Sequence, residues 1–218
     1  MKMADKLRVA VLASGRGSNL QALIDAAQEQ GFPAEVIGVL CDKAGAQVLE
    51  RAKKAGAKAL WVDPSEEGYE DRLGDEIEAM RCGLICCSGY MKILSPKFVS
   101  RFSGKIINIH PSLLPAFPGL HSQRKALLAG VQITGCTVHY IDDGVDTGPI
   151  ILQAAVPVLP GDNENSLSAR ILGFEHRIYP LAVRLIAEGR VRLDGSRVHV
   201  EGEISAGEGF FSPPVTLT

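Results

Sequence analysis

The sequence lacks the features that mark nucleic-acid-binding and membrane proteins. Its 218 residues include 23 lysines and arginines against 25 aspartates and glutamates, without a basic tract. The formal net charge of −2 argues against nucleic acid or an anionic membrane as the main partner. No apolar run approaches bilayer length, and Leu7–Ala13 is too short for a signal peptide. We therefore expect a cytoplasmic protein with no nucleic-acid or membrane partner.

Cysteine pairs of the CxxC type are also missing. The chain has five cysteines, an odd number, and three of them lie in or beside the apolar run Leu84–Ser88. Such residues behave as small buried hydrophobic side chains when they are not paired or metal-bound. We therefore expect free thiols and no metal.

Alternating strand-like and helix-like segments predict an α/β fold with a Rossmann-like, open, mostly parallel sheet and helices on both faces. The predicted strands of the first half are Leu7–Ala13, Glu35–Cys41, Lys58–Val62, Leu84–Ser88 and Lys105–Ile109, and its helices are Asn19–Gln30, Ala46–Ala55 and Glu67–Met80.

The second half has a different pattern. An antiparallel pair, a long amphipathic helix and a small hairpin are predicted at Ile133–Ile141 with Pro149–Val156, Asn165–Glu188, and Arg190–Leu193 with Arg197–Val200. No linker or repeat interrupts the pattern. We expect one domain over residues 1–218, with loose tails at about residues 1–6 and 207–218.

A glycine-rich loop, Ser14-Gly-Arg-Gly-Ser-Asn19, joins the first strand to the first helix. Its glycines allow a sharp turn, and the helix start offers N–H groups and a positive dipole end to an anion. The Walker ending is absent and Leu20 replaces the third dinucleotide glycine, so a phosphate monoester fits better than a pyrophosphate. An ordinary turn capped by Ser18 is the alternative. Asp42, at the end of the second strand, leaves a nicotinamide-dependent oxidoreductase open.

Asn108 and His110 alternate at the carboxyl end of a predicted strand, so their side chains leave on the same side. A later loop, Asp142–Pro149, carries three carboxylates, including Asp146. An amide donor and a histidine paired with a carboxylate suit acyl transfer to an amine, which needs oxyanion stabilisation and proton transfer. Two alternatives remain: side chains that only satisfy loop carbonyls, or a metal site of His110, His121 and Asp146 with non-standard spacing.

The segments Asn108–Pro115, Pro118–His121, Gly135–His139 and Asp146–Gln153 together resemble the signature of the folate-dependent formyltransferases. The resemblance runs from about Val9 to Gly189. It implies a formyltransferase fold and 10-formyltetrahydrofolate as co-substrate. The glycine-rich loop resembles that of members that formylate glycinamide ribonucleotide in purine synthesis, and this implies the acceptor substrate.

The resemblance also implies roles for individual residues. Catalytic roles fall to Asn108, His110 and Asp146, the aspartate raising the pKa of the histidine. Substrate contacts fall to Gly17, Ser18, Asn19, Gly89 and Glu175. Folate contacts fall to Tyr90, Met91, Lys92, Ile93, Leu94, Asn108 and Val145, with Thr137 and His139 as supporting residues.

Some positions depart from the family pattern. Lys92 replaces the usual arginine, Cys82-Gly83 replaces a Pro-Asp pair, and Glu66 lies near an arginine position for the folate tail. Leu172 stands where a polar ribonucleotide contact is expected. These departures concern binding and leave the predicted chemistry intact.

The rival functions are a hydrolase that splits formyl-folate with water, an oxidoreductase, and a non-catalytic binding protein. The hydrolase and the formylase of initiator tRNA usually carry an extra domain, so they are less favoured. We expect a monomer or a homodimer.

Overall fold

The computed structural model describes residues 6–202 and 210–212. The chain divides into two compact units, Met1–Asn108 and Ile109–Thr218. Of the predicted loose tails, residues 1–5, 207–209 and 213–218 lie outside the described residues. The prediction of one domain over residues 1–218 stays a prediction.

Strands and helices alternate through the first unit, as the sequence predicts. The strands are β1 (Leu7–Ala13), β2 (Ala34–Cys41), β3 (Lys58–Trp61), β4 (Leu84–Cys87) and β5 (Ile106–His110), the last of which runs on into the second unit. The helices are α1 (Ser18–Gln28), α2 (Gln47–Lys54), α3 (Tyr69–Ala79) and α4 (Pro96–Arg101).

The strands of the first unit form a parallel sheet in the order β5-β4-β1-β2-β3. The central strand β1 is buried from Val9 to Ala13, which explains its continuous apolar sequence. From β1 the chain builds outward through β2 and β3, and then returns to place β4 on the other side. The strand order therefore reverses between β1 and β4, and ligands of open α/β sheets bind beyond the carboxyl ends of the strands at such a point.

The described residues of the second unit form two helices and further strands. They are α5 (Ser122–Ala129), β6 (Ile133–Tyr140), β7 (Ile150–Pro157), α6 (Glu164–Ala187), β8 (Val191–Asp194), β9 (Arg197–Val200) and β10 (Phe210–Ser212). β7 pairs antiparallel with β6 and with β10, and β8 with β9 form a hairpin. Thus the predicted antiparallel pair and hairpin are confirmed, and residues 210–212 form a short strand.

Local sequence explains how the long helix α6 begins. The side chain of Asn163 accepts hydrogen bonds from the backbone of Asn165 and Ser166, while Ser166 Oγ accepts one from Asn163 N at 3.0 Å. This reciprocal cap satisfies N–H groups that the first turn cannot pair internally. At its C-terminus the helix ends before Gly189, which has a φ of 70°.

The five cysteines are all free; Cys82 is half-buried and the others are buried. The prediction of free thiols is therefore confirmed. Among residues 6–202 and 210–212, no helix is long and apolar enough to cross a membrane.

Candidate active site

His110 and Asp146 form a largely buried pair in the second unit. His110 ends β5, and its Nδ1 lies 3.2 Å from Asp146 Oδ2, with the two side chains only 7% and 13% exposed. The second ring nitrogen, Nε2, lies 3.0 Å from the carbonyl oxygen of Phe117. Both ring nitrogens thus face oxygen atoms that can accept a hydrogen bond. The geometry suits a histidine that is held as a hydrogen-bond donor.

His139 lies on the other side of the same carboxylate. It is almost fully buried, its Nε2 is 3.7 Å from Asp146 Oδ1, and its Nδ1 is 2.8 Å from the carbonyl oxygen of Tyr140. Burial lowers the pKa of His139, and the Tyr140 carbonyl and the charge of Asp146 only partly oppose this shift. His139 is therefore mainly neutral near pH 7, and its Nδ1–H donates to the Tyr140 carbonyl.

Backbone geometry fixes Asp146 in its loop. Asp146 has a φ of 56°, in the left-handed region that few non-glycine residues adopt, and its Oδ2 accepts a hydrogen bond from Gly119 N at 2.7 Å. Phe117 and His121 share this unusual conformation, with φ of 55° and 59°. Strained residues of this kind cluster at functional sites, where the surrounding structure maintains them.

A second hydrogen-bond network holds the loop that follows His110. The fully buried Thr137 donates from Oγ1 to the Ser112 carbonyl at 2.7 Å and accepts from Leu114 N at 3.1 Å. Gln153 Nε2 donates to Thr137 Oγ1 at 3.0 Å and to the Leu114 carbonyl at 2.8 Å. Thr137 therefore supports the loop backbone.

The glycine-rich loop of the first unit leads directly into α1. Gly17 precedes the helix with a φ of 74°, and no described side chain caps the helix start. Helix α2 fixes the loop backbone, because Val48 N donates to the Gly15 carbonyl at 3.1 Å and Arg51 Nε donates to the Arg16 carbonyl at 2.9 Å. The helix therefore starts at Ser18 without a Ser18 side-chain cap, and this arrangement suits an anion.

The predicted folate segment, Tyr90 to Leu94, follows β4 at the same edge of the first unit's sheet. Met91 N donates to Ser14 Oγ at 2.9 Å, which joins this segment to the glycine-rich loop. The apolar side chains of Met91 and Ile93 are 55% and 80% exposed. Lys92 is exposed as well. The segment therefore presents both apolar surface and a positive charge.

The remaining predicted residues lie in several places. Asn108 lies in β5 beside Cys87 of β4, two residues before His110. Val145, next to Asp146, is 52% exposed, whereas Glu175 is buried on α6. Burial raises the pKa of Cys136, and the charge of Glu175 raises it further. Among the described residues, no three or more His, Cys, Asp or Glu side chains are grouped as metal ligands.

Several residues of the site were not assigned a role from sequence. Phe117 supplies the carbonyl beside His110, Gly119 supplies the N–H that holds Asp146, and Gln153 anchors the His110 loop. The only sequence signal for the first two is the Pro118-Gly119 turn. Gln153 ends the signature segment Asp146–Gln153, but its contact with the His110 loop depends on the register between β6 and β7.

Comparison with known proteins identifies the family of the chain. The formyl transferase family model matches residues 7–183. The chain belongs to the formyl transferase family. The family resemblance noted in the sequence is thereby confirmed.

Individual relatives are close to the chain. It is 41% identical over 208 residues to phosphoribosylglycinamide formyltransferase of Escherichia coli K12, covering 94% of this chain and 98% of that protein. It is 53% identical over 191 residues to the trifunctional purine biosynthetic protein adenosine-3 of Drosophila pseudoobscura, covering 85% of this chain. The chain spans only 14% of the length of that protein.

A solved structure supports the fold. Glycinamide ribonucleotide transformylase 1 from Symbiobacterium toebii matches with a TM-score of 0.87 and 48% identity, covering 92% of this chain and 95% of that one. The predicted α/β formyltransferase fold is therefore confirmed.

Proposed function

We propose that the chain transfers the formyl group of 10-formyltetrahydrofolate to the amine of glycinamide ribonucleotide. The observation that carries this proposal is the buried His110–Asp146 pair in a chain of the formyl transferase family. The names of the Escherichia coli and Symbiobacterium toebii relatives support the acceptor. The glycine-rich loop at Gly17, Ser18 and Asn19 suits the terminal phosphate of that acceptor.

In the proposed reaction, the substrate amine attacks the formyl carbon directly. A carbon–nitrogen bond forms to the amine, and the carbonyl oxygen becomes an oxyanion. The side-chain amide of Asn108 and the Nε2–H of His110 donate hydrogen bonds to this oxyanion. The bond from carbon to the folate nitrogen then breaks, and the proton lost by the amine passes to that nitrogen, with a water as the carrier.

Asp146 determines which nitrogen of His110 serves the substrate. Asp146 Oδ2 lies 3.2 Å from Nδ1, so an oxyanion can bind only at Nε2. There it would replace the Phe117 carbonyl as the hydrogen-bond acceptor. The oxyanion carries more negative charge than a peptide carbonyl and therefore competes well for this donor. The folate segment at Tyr90, Met91, Lys92, Ile93 and Leu94, together with Val145, supplies the co-substrate contacts, and Gly89 and Glu175 supply further contacts to the acceptor.

The test is a spectrophotometric assay of folate release from 10-formyltetrahydrofolate, with and without glycinamide ribonucleotide. Release that requires the amine, with a formylated product detected by mass spectrometry, supports the transferase. Equal release without the amine indicates a hydrolase instead, and no release in either case contradicts both activities. The oligomeric state, monomer or homodimer, and the cytoplasmic location stay predictions.

A further inference from the structure

Residues 89–95 link β4 to α4, and we call this segment the strap. It begins at Gly89, which has a φ of 66°, and it contains the predicted folate contacts. It follows β4 at the place where the strand order reverses, so it lies where open α/β sheets bind their ligands. The exposed side chains of Met91 and Ile93 give it an apolar surface suited to a flat aromatic ligand.

The strap has no strand or helix of its own, so other elements must fix its shape. The Ser14 hydroxyl accepts from Met91 N at 2.9 Å and holds one point. Two further contacts come from the first turn of α3. They involve neighbouring residues, Tyr69 and Glu70, that the proposed reaction does not use.

Tyr69 holds the beginning of the strap. Its hydroxyl is in hydrogen-bonding contact with the hydroxyl of Tyr90, and both side chains are half-buried. Burial raises the pKa of Tyr69, and the nearby charges of Asp42 and Glu70 raise it further. Tyr69 therefore stays protonated near neutral pH, so at least one of the two hydroxyls can donate a hydrogen bond to the other.

Glu70 holds the end of the strap. One carboxylate oxygen accepts from Ser95 N at 2.8 Å, and the other accepts from the Ser95 hydroxyl. Ser95 Oγ in turn caps α4 by accepting from Phe98 N at 3.2 Å. Both ends of the strap are thus attached to one helical turn, and the exposed residues lie between the attachments.

We propose that Tyr69 and Glu70 are positioning residues for the folate co-substrate. They hold the strap in its binding shape before the ligand arrives, so that binding does not have to order it. The inference rests on the proposed function for the identity of the ligand. Tyr69 and Glu70 act through Tyr90 and Ser95 and do not touch the reacting atoms.

The size of the effect follows from the bonds that are removed. A neutral hydrogen bond contributes a net free energy equivalent to about two- to tenfold in an equilibrium constant. Tyr69→Phe should therefore raise the KM for 10-formyltetrahydrofolate, and the Kd for tetrahydrofolate, by about three- to tenfold. The kcat and the KM for glycinamide ribonucleotide should not change.

The experiment compares Tyr69→Phe, Tyr90→Phe and the double variant, using kinetics, calorimetric titration with tetrahydrofolate, and thermal unfolding. The double variant should be no worse than the more damaging single one, because both remove the same hydroxyl contact. Tyr179→Phe, which removes a buried hydroxyl from α6, is the matched control and should leave the folate KM unchanged.

A second pair of variants tests the other end of the strap. Glu70→Gln should raise the folate KM, whereas Asp71→Asn should not, because the carboxylate of the exposed Asp71 pairs with Lys97 at 2.7 Å and not with a residue of the strap. Lower thermal stability with an unchanged folate KM in both Tyr69→Phe and Glu70→Gln would overturn the inference.

The outcomes separate this inference from the proposed function. Without formyl transfer, weaker tetrahydrofolate binding by Tyr69→Phe would still support the positioning role. With full transfer by the wild-type protein and an unchanged folate KM in the variants, only the positioning role fails. If the wild-type protein binds no tetrahydrofolate, the positioning role is wrong.

Discussion

The two units present different chemical groups at their predicted site residues. In the first unit, the glycine-rich loop and the strap offer backbone N–H groups, small polar side chains and exposed apolar surface. In the second unit, His110, His139 and Asp146 are largely buried, and backbone carbonyls and N–H groups fix each of them. Binding a phosphate or an aromatic ring needs mainly shape, whereas moving charge needs donors oriented in a low-dielectric environment. Substitutions in the glycine-rich loop and the strap should therefore affect other kinetic parameters than substitutions at His110 and Asp146 do.

The largest expected effect comes from Asp146→Asn in the second unit. Asparagine tolerates a left-handed φ and can still accept from Gly119 N, so folding should be preserved. Loss of the charge beside His110 should lower kcat by about 10²- to 10⁴-fold and shift the pH–rate profile. Steady-state kinetics across pH measure both effects.

Asp143→Asn is the control for this variant. Asp143 is an exposed carboxylate of the same loop and should be replaceable with little loss of rate. An unchanged pH–rate profile in Asp146→Asn would remove Asp146 from its role.

The second-largest expected effect is a loss of stability caused by a substitution at Thr137 in the second unit. Thr137→Val keeps the shape but leaves the Ser112 carbonyl and Leu114 N without their buried partner. We expect the free energy of unfolding to fall by about 2–3 kcal/mol in urea denaturation. Thr134→Val is the control, since Thr134 is also buried but none of the described residues bonds its Oγ1. An equal fall in the free energy of unfolding of the two variants would show that the loss comes from replacing a buried threonine and not from breaking the loop network.

In the first unit, Gly17→Ala should affect binding more than turnover. A Cβ at Gly17 would lie 2.6 Å from Val48 Cγ2, and the φ of 74° disfavours any side chain. We expect the KM for glycinamide ribonucleotide to rise about tenfold, as when a charge-assisted hydrogen bond is lost, with little change in kcat.

Gly15→Ala separates this effect from a general loss of flexibility. No atom lies within 4 Å of a Cβ built at Gly15. The KM of the Gly15→Ala variant for glycinamide ribonucleotide should therefore stay near that of the wild-type protein. A large fall in kcat for Gly17→Ala would contradict the division of tasks between the glycine-rich loop and the His110–Asp146 pair.

The smallest expected effect is a pH dependence of stability. Burial lowers the pKa of His139 below its ordinary 6.5, so the unfolded chain binds this proton more readily than the folded one. Because of His139, the folded state therefore loses stability relative to the unfolded state as the pH falls through about 6.5. Urea unfolding at pH 7.5 and pH 5 should show a smaller pH difference for His139→Gln than for the wild-type protein. The exposed His199 provides the control, and an equal reduction in His199→Gln would contradict the assignment.

Sequence patterns predicted the elements that have strong periodicity or long apolar runs. The strand Leu7–Ala13 is found with those bounds, and α6 differs from its prediction by one residue at each end. Two helices were missed. α4 has only six residues, and α5 buries only Ser122 and Ala126, so neither has a sustained apolar face.

The sequence by itself determined that Asn108 and His110 leave the same side of a strand end, because side chains alternate along a strand. It also determined that a glycine-rich turn precedes the first helix. Only the tertiary structure placed Asp146 against His110 and His139, since this depends on a left-handed loop residue and on the Gly119 N–H. Likewise, the contacts of α3 with the strap join segments far apart in sequence. Such contacts follow from how elements pack, and local sequence patterns do not encode that packing.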